Sequence, residues 1–284
     1  MSNTEKWFSE TLHGSFQQSF KISEILYTSN RGLQDILIFK TPFFGRVLAL
    51  DNIIQTTEAD ESCYHEMLSH VPIISHGSAA EILIIGGGDG GVLRETLRHK
   101  TIKTATVVEI DNTVVELCKT FFPSLSAGAF DDSRADLIIT DGLTFVEKTK
   151  RKFDIIIVDS TDPVGPSIPL FSDRFYIACR KILTKRGILV CQSGVSFVQE
   201  KEARETIGRL RKTYEDAALY LTQVPTYSFG FMTLGWGSLD KQARNTKLST
   251  LKKRFVDTNI KTRYYTPEVH KASFSLPAYM NYAA

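Results

Sequence analysis

The sequence predicts an α/β fold: a doubly wound parallel sheet preceded by a small N-terminal all-β domain. Three observations carry this prediction. From residue 81 onward, short and nearly continuous apolar runs alternate with helical stretches. Strands of that kind are buried on both faces, as in a parallel sheet covered by helices. The first such run ends in glycines, ILIIGGGDGG at 82–91, so that Gly86, Gly88 and Gly91 form the outline of a nucleotide-binding turn. Before residue 60 the pattern is different: short β-branched and aromatic runs broken by turn signals.

In chain order, FKISEILYTS (20–29), LQDILIFKT (33–41) and GRVLALDNIIQTT (45–57) read as strands, the last two separated by Thr41-Pro42 and its neighbours. Cys63, Met67, Leu68 and Val71 then recur at helical spacing, which predicts a helix over 59–70. This helix, taken as 61–75, connects a β domain at 1–60 to a Rossmann-like catalytic domain at 61–284. In that second domain EILIIG precedes a helix at 91–99, ATVVEI one at 112–121, ADLIIT one at 143–149, and FDIIIVDS one at 172–183. GILVCQSG, a helix at 198–212 and the strand-like runs ALYLTQV and FGFMTLGW complete it. Right-handed crossovers wind such units on both sides of the sheet. The Pro- and Gly-rich stretch 163–169 reads as a non-helical loop able to close over a site. KLSTLKKRF (247–255) reads as a solvated helix face, because its bases are few and lack an aromatic stacking platform.

Composition narrows the function. With 284 residues, 42% hydrophobic and 23% charged, and a net charge of +2, the chain carries no global field toward nucleic acid or membrane. The four cysteines lie far apart without zinc spacing, and are expected as free thiols in a reducing compartment. MSNTEKWFSE lacks the features of a signal peptide, and no apolar run reaches the ~18 residues of a membrane span. A cytoplasmic protein is the expectation.

The chemistry should lie beyond the strand C-termini. Each of four consecutive tips carries a carboxylate: Asp89 after the first, Glu109 and Asp111 after the second, Asp141 after the third, Asp159 and Asp162 after the fourth. Taken singly, these have plain explanations. Asp111 and Asp141 suit helix N-caps, and Asp162-Pro163 suits a turn. Together they converge on one cleft. Asp89 would repel a dinucleotide's pyrophosphate but attract a cationic nucleoside, which favours an S-adenosyl compound over NAD. A decarboxylated donor, ending in an ammonium alone, suits Asp89 better than one that also carries a carboxylate. Asp159 and Asp162 suggest a second cation, an amine. Its deprotonation at pH 7 costs roughly 4–5 kcal/mol, and a nearby aspartate can take that proton.

GGGDGG, VEID, DG, DSTDPVGP and LALDNIIQTTEADESCYHEM together resemble the polyamine aminopropyltransferases, most closely the bacterial spermidine synthases. The resemblance runs from WFSETLHG to RYYTPEVHKASFSLP. It implies a class I methyltransferase-type sheet, and transfer of the aminopropyl group of decarboxylated S-adenosylmethionine to putrescine, giving spermidine and 5′-methylthioadenosine. The donor is a co-substrate; no cofactor and no metal are implied, and the family forms homodimers or homotetramers. On the donor side the resemblance places Gln34, His65, Gly86, Gly88, Asp89, Glu109 on the ribose, and Asp141-Gly142 on adenine. On the amine side it places Tyr64, Asp89, Asp159 as proton acceptor, Asp162, Gln192, Tyr227, and Trp7 at the distal end. Ile168 and Ala59 depart from the family pattern in the closing loop and in the T-E-R-D-E stretch. Rival readings are an S-adenosylmethionine-dependent diamine N-methyltransferase, an NAD-dependent oxidoreductase and a non-catalytic nucleoside-binding or assembly protein.

Overall fold

The computed structural model describes residues 5–12 and 14–282. Position 13 of WFSETLHG and the first four residues of MSNTEKWFSE therefore lie outside the described residues. The chain opens with a hairpin, β1 (Lys6–Leu12) paired antiparallel with β2 (Phe16–Ile22). A four-stranded antiparallel meander follows: β3 (Glu24–Ser29), β4 (Ile36–Thr41), β5 (Gly45–Leu50) and β6 (Ile53–Thr57). The sequence reads as strands from Phe16, where β2 starts, so β1 is an addition. Its alternation is clear in retrospect, with Phe8 and Glu10 buried and Trp7, Ser9 and Thr11 exposed.

Helix α1 (Glu61–His76) leads into the larger sheet. It extends past the predicted end at 70 and runs through Pro72, stopping where Gly77 takes a left-handed φ of 75° and donates to the Ile73 carbonyl at 3.0 Å. The remaining elements are β7 (Glu81–Gly86), α2 (Gly91–Leu97), β8 (Thr104–Glu109), α3 (Asn112–Phe121), α4 (Pro123–Ser126), β9 (Ala135–Ile139), α5 (Gly142–Lys148) and β10 (Phe153–Asp159). After these come α6 (Asp173–Ile182), β11 (Leu183–Val195), α7 (Glu200–Thr213), β12 (Asp216–Thr222), β13 (Met232–Ser238), α8 (Leu248–Thr258) and α9 (Pro267–Ser273).

The strand order is β12-β13-β11-β10-β7-β8-β9. Strands β9, β8, β7, β10 and β11 are parallel, as predicted, while β13 runs antiparallel to both of its neighbours. The connection from β12 to β13 contains no helix, and a parallel return needs a crossover. The apolar runs are explained by period-two burial. Ile82, Ile84, Val107, Ile155 and Ile157 face a core that includes α1 and α2, while Leu83, Ile85, Val108, Ile156 and Val158 face one that includes α6.

The C-terminal segment locks α1 in place. The buried Glu66 carboxylate accepts the backbone N–H groups of Arg263, Tyr264 and Tyr265 at 2.8, 2.8 and 2.7 Å. Arg254 of α8, expected in a solvated face, turns inward and caps the α1 carbonyls of Ile74 and Ser75, both at 2.7 Å. Glu66→Ala strands three backbone donors, one of them fully buried, so denaturant unfolding should show a loss of about 3 kcal/mol. All four cysteines are free thiols, three buried and Cys63 partly so. Among the described residues no helix is long and apolar enough to cross a membrane.

Candidate active site

A cavity of about 250 Å³ opens over the C-terminal ends of β7, β8, β9 and β10. Gln34, Tyr64, His65, Gly86, Gly88, Asp89, Glu109, Asp141, Gly142, Asp159, Asp162, Gln192 and Tyr227 all line it. Trp7 does not. It sits 54% exposed on the outward parity of β1, beside the cavity rather than in its lining. The same strand delivers Glu10 to the cavity instead.

The glycine turn earns its composition at two points. Gly86 has a φ of +83°, and a Cβ there would run into the Asp159 carbonyl oxygen, to which Gly87 donates its N–H at 2.9 Å. The glycine turn and the tip of β10 are thus held together by backbone contact. A Cβ at Gly91 would run into the His65 ring. Gly86→Ala should cost about 3 kcal/mol in an unfolding titration and separate Asp159 from the loop, with turnover lost accordingly.

At the tip of β8, Glu109 is pinned through one carboxylate oxygen by the N–H groups of Ile110 and Asp111, at 2.7 and 3.0 Å. Burial raises its pKa against those bonds. Asp141 both lines the cavity and caps α5, accepting from the Thr144 N–H at 2.7 Å. Asp111 caps α3 through the Thr113 N–H at 2.8 Å, as the sequence suggests. Gln34, in the bend before β4, reaches Asp51 at 3.3 Å and lines the cavity.

The charged centre is formed by His65, Asp89 and Asp159, one atom of each lying within 4.8 Å of the others. Asp89 accepts the Gly91 N–H at 2.8 Å and faces His65 Nε2 at 3.2 Å. Burial opposes its ionisation, but the His65 charge holds its pKa below the usual carboxylate value. His65 Nδ1 lies 2.6 Å from Glu61, so both ring nitrogens are turned to carboxylates and the ring offers no free lone pair to a metal. An ammonium or sulfonium suits this focus. Asp159 accepts the Tyr64 hydroxyl at 2.9 Å. Burial first, and the Asp89 charge second, push its pKa up to about 7.

Around Asp162 the cavity lining is polar. Asp162 accepts the Gln199 amide at 2.7 Å, while Gln192 donates to the Thr161 carbonyl at 3.1 Å and accepts from the Gly194 N–H at 2.9 Å. Gln192 therefore shapes the Asp159–Asp162 turn as well as lining the wall. Tyr227 donates to the Gln55 carbonyl and packs edge-on against Tyr64, with centroids 6.2 Å apart. Glu10, 2% exposed, accepts the Ile54 N–H at 2.9 Å and the Gln18 amide. Burial raises its pKa, and the Asp162 charge adds to the rise. Sequence reasoning missed it, although a glutamate sharing strand parity with Phe8 was a usable signal.

The segment after Asp162 is helical, contrary to expectation: Gly165–Phe171 forms a 3₁₀ helix. Pro166 sits in its first turn, where a missing N–H costs nothing, and the short bonds of a 3₁₀ turn tolerate Pro169. Val164, Pro166, Ser167 and Leu170 face the cavity, while Ile168 points out at 57% exposure. Ala59 keeps only its carbonyl in play, accepting from Arg263 at 3.4 Å.

The family model for the spermine/spermidine synthase domain matches residues 61–248, and the one for the spermidine synthase tetramerisation domain matches 6–58. The chain belongs to the spermine/spermidine synthase family. It is 51% identical over 276 residues to a polyamine aminopropyltransferase of Pseudomonas syringae pv. tomato, covering 97% of this chain and 96% of that protein. It is 50% identical to one from Ruegeria sp., with 97% of each chain covered. A solved spermidine synthase in complex with the transition-state analogue AdoDATO superposes with a TM-score of 0.92 at 35% identity, covering 97% of this chain and 94% of the other. The spermidine synthase of Thermotoga maritima gives 0.89 at 34% identity, covering 97% and 93%. This family member is an aminopropyltransferase.

Proposed function

We propose that the enzyme transfers the aminopropyl group of decarboxylated S-adenosylmethionine to putrescine, giving spermidine and 5′-methylthioadenosine. One observation carries this reading above the others: Asp89 and Asp159 share a single focus at the glycine turn, so a donor cation and an acceptor amine meet there. Adenosine would lie along β8 and β9, its ribose hydroxyls on Glu109 and its base at Asp141-Gly142. The donor's ammonium would reach Asp89, and the far amine of putrescine would extend toward Asp162 and Glu10. Residues 61–284 then form the catalytic domain and 1–60 a β domain beside it.

The reaction on this reading is an in-line displacement. One acceptor nitrogen, positioned by Tyr64 and Asp159, transfers its proton to Asp159 and attacks the methylene bonded to the sulfonium. The carbon–sulfur bond breaks, its electron pair stays on sulfur, and a neutral thioether departs without an acid. No further cofactor is required. Catalysis comes from placing two cations in line and compensating their charge.

The test supplies decarboxylated and intact S-adenosylmethionine separately, each with putrescine, cadaverine, agmatine and spermidine, and identifies products by mass. Spermidine from the decarboxylated donor and putrescine is the expected result. Methylated putrescine from the intact donor would establish the N-methyltransferase reading instead. The match of 6–58 to a tetramerisation domain supports a homodimer or homotetramer, to be read by light scattering.

A further inference from the structure

An unbroken chain of alternating charge leads into the donor-tail site. Arg94 of α2 donates to Glu61 at 2.8 Å, Glu61 faces His65 Nδ1 at 2.6 Å, and His65 Nε2 faces Asp89 at 3.2 Å. Arg94 is itself anchored by Glu95 at 2.8 Å and by the Leu125 carbonyl at 2.7 Å. The ring of His65 is 3% exposed, Glu61 10% and Asp89 14%. Ionised carboxylates accept hydrogen bonds and cannot donate them. A bare lone pair on either ring nitrogen would therefore point at negative oxygen inside a buried site. Only the imidazolium, with an N–H on each side, avoids that repulsion.

We infer that, in the ligand-free enzyme, the His65 imidazolium is the resident cation of the donor-tail site, and that the donor's ammonium replaces its charge by expelling one proton. The inference rests on the aminopropyl-donor reading of the site. Before binding, the row Arg94, Glu61, His65, Asp89 alternates and balances. An added ammonium on Asp89 would lie beside a second buried cation, which a low-dielectric site strongly disfavours. Loss of the Nε2 proton to solvent restores the balance. The neutral ring keeps Nδ1–H on Glu61, and its freed Nε2 lone pair accepts an N–H from the donor's ammonium while Asp89 accepts another. Charge and protons balance: one ammonium enters and one proton leaves.

Groups from every surrounding element act on this ring. On α1 they are Glu61 and Tyr64, the latter bonded to Asp159; on the glycine turn Asp89; on α2 Arg94; and on β10 Asp159. Burial alone would lower the pKa of His65, yet the charges of Asp89 and Glu61 raise it well above 6.5. Glu61 and Arg94 are positioning residues in this scheme. They fix which nitrogen keeps its proton when the donor arrives.

The experiment is imidazole ¹⁵N NMR of the full chain near neutral pH: free, with 5′-methylthioadenosine, and with decarboxylated S-adenosylmethionine. His65 is assigned as the signal pair lost in His65→Gln. Two protonated ring nitrogens are expected in the free enzyme and with methylthioadenosine, which brings no ammonium. The decarboxylated donor should convert Nε2 alone to the unprotonated form. Asp159→Asn should leave that change intact, since any proton lost from Asp159 to the sulfonium is a separate event. A neutral His65 in the free enzyme, or a ring still doubly protonated with the donor bound, overturns the inference while the donor reading stands. A donor that perturbs none of the cavity signals overturns both. Should His65→Gln fail to fold, Glu61→Gln supplies the assignment, because it must shift the His65 Nδ1 signal ahead of all other histidine signals; no such shift overturns the scheme.

Discussion

Asp159→Asn should lower turnover by about 10²–10⁴-fold, the usual contribution of a positioned general base, while donor binding survives. The amide cannot accept the acceptor's proton, yet it preserves the volume at the tip of β10 and can still accept the Tyr64 hydroxyl that now lies 2.9 Å away. A pH signature accompanies the loss. With the carboxyl pushed up to about 7 by burial and by Asp89, the base form disappears as the solution is acidified through that value. The wild-type kcat/KM for the donor should therefore fall at least tenfold per unit below about pH 7, and the variant should lack the part due to Asp159. Stability gives the opposite sign. Between the unfolded carboxyl's value of 3.8 and the folded value of about 7, the native state binds more protons than the unfolded one. Wild-type stability from this group thus declines as pH rises through that window and stays low above it. Asp159→Asn should melt higher than wild type at pH 8. A variant that is both inactive and more stable cannot owe its inactivity to unfolding.

Asp89→Asn should separate two adenosine ligands of which only one carries the aminopropyl tail and its ammonium. Decarboxylated S-adenosylmethionine loses a charge-assisted contact of about 1.5–3 kcal/mol, roughly 10–150-fold in Kd. Methylthioadenosine has no ammonium to lose and should weaken only a few-fold. The asparagine can still accept the Gly91 N–H that the aspartate holds at 2.8 Å, so the loop keeps its course. Equal weakening of both ligands, measured by titration calorimetry, would assign Asp89 to loop structure rather than to the donor's tail.

The carboxylates at the strand tips were legible because parallel strands deliver their C-terminal ends to one edge. Asp89, Glu109, Asp141 and Asp159 each close a run that announces itself as a buried strand, and the sheet brings all four to the same cavity. Tyr64, Gln34 and Tyr227 were reachable only through resemblance. They come from a helix and two loops whose meeting is set by packing that no local pattern encodes. Trp7 and Glu10 show the limit most clearly. A strand of seven residues has two faces, and which one meets the cavity depends on how the hairpin sits against residues such as Thr226, whose carbonyl accepts from Gln18 at 2.9 Å. The 3₁₀ helix at Gly165–Phe171 was hidden for a different reason. Proline argues against an α-helix, but it leaves a short 3₁₀ turn open.

The most direct test of the account is a crystal structure with methylthioadenosine and putrescine bound together. The expected arrangement puts one putrescine nitrogen within hydrogen-bonding distance of Asp159 and in line with the thioether sulfur, with the other nitrogen running toward Asp162 and Glu10. A diamine seated away from Asp159, or a nucleoside whose sulfur points away from it, would contradict the account.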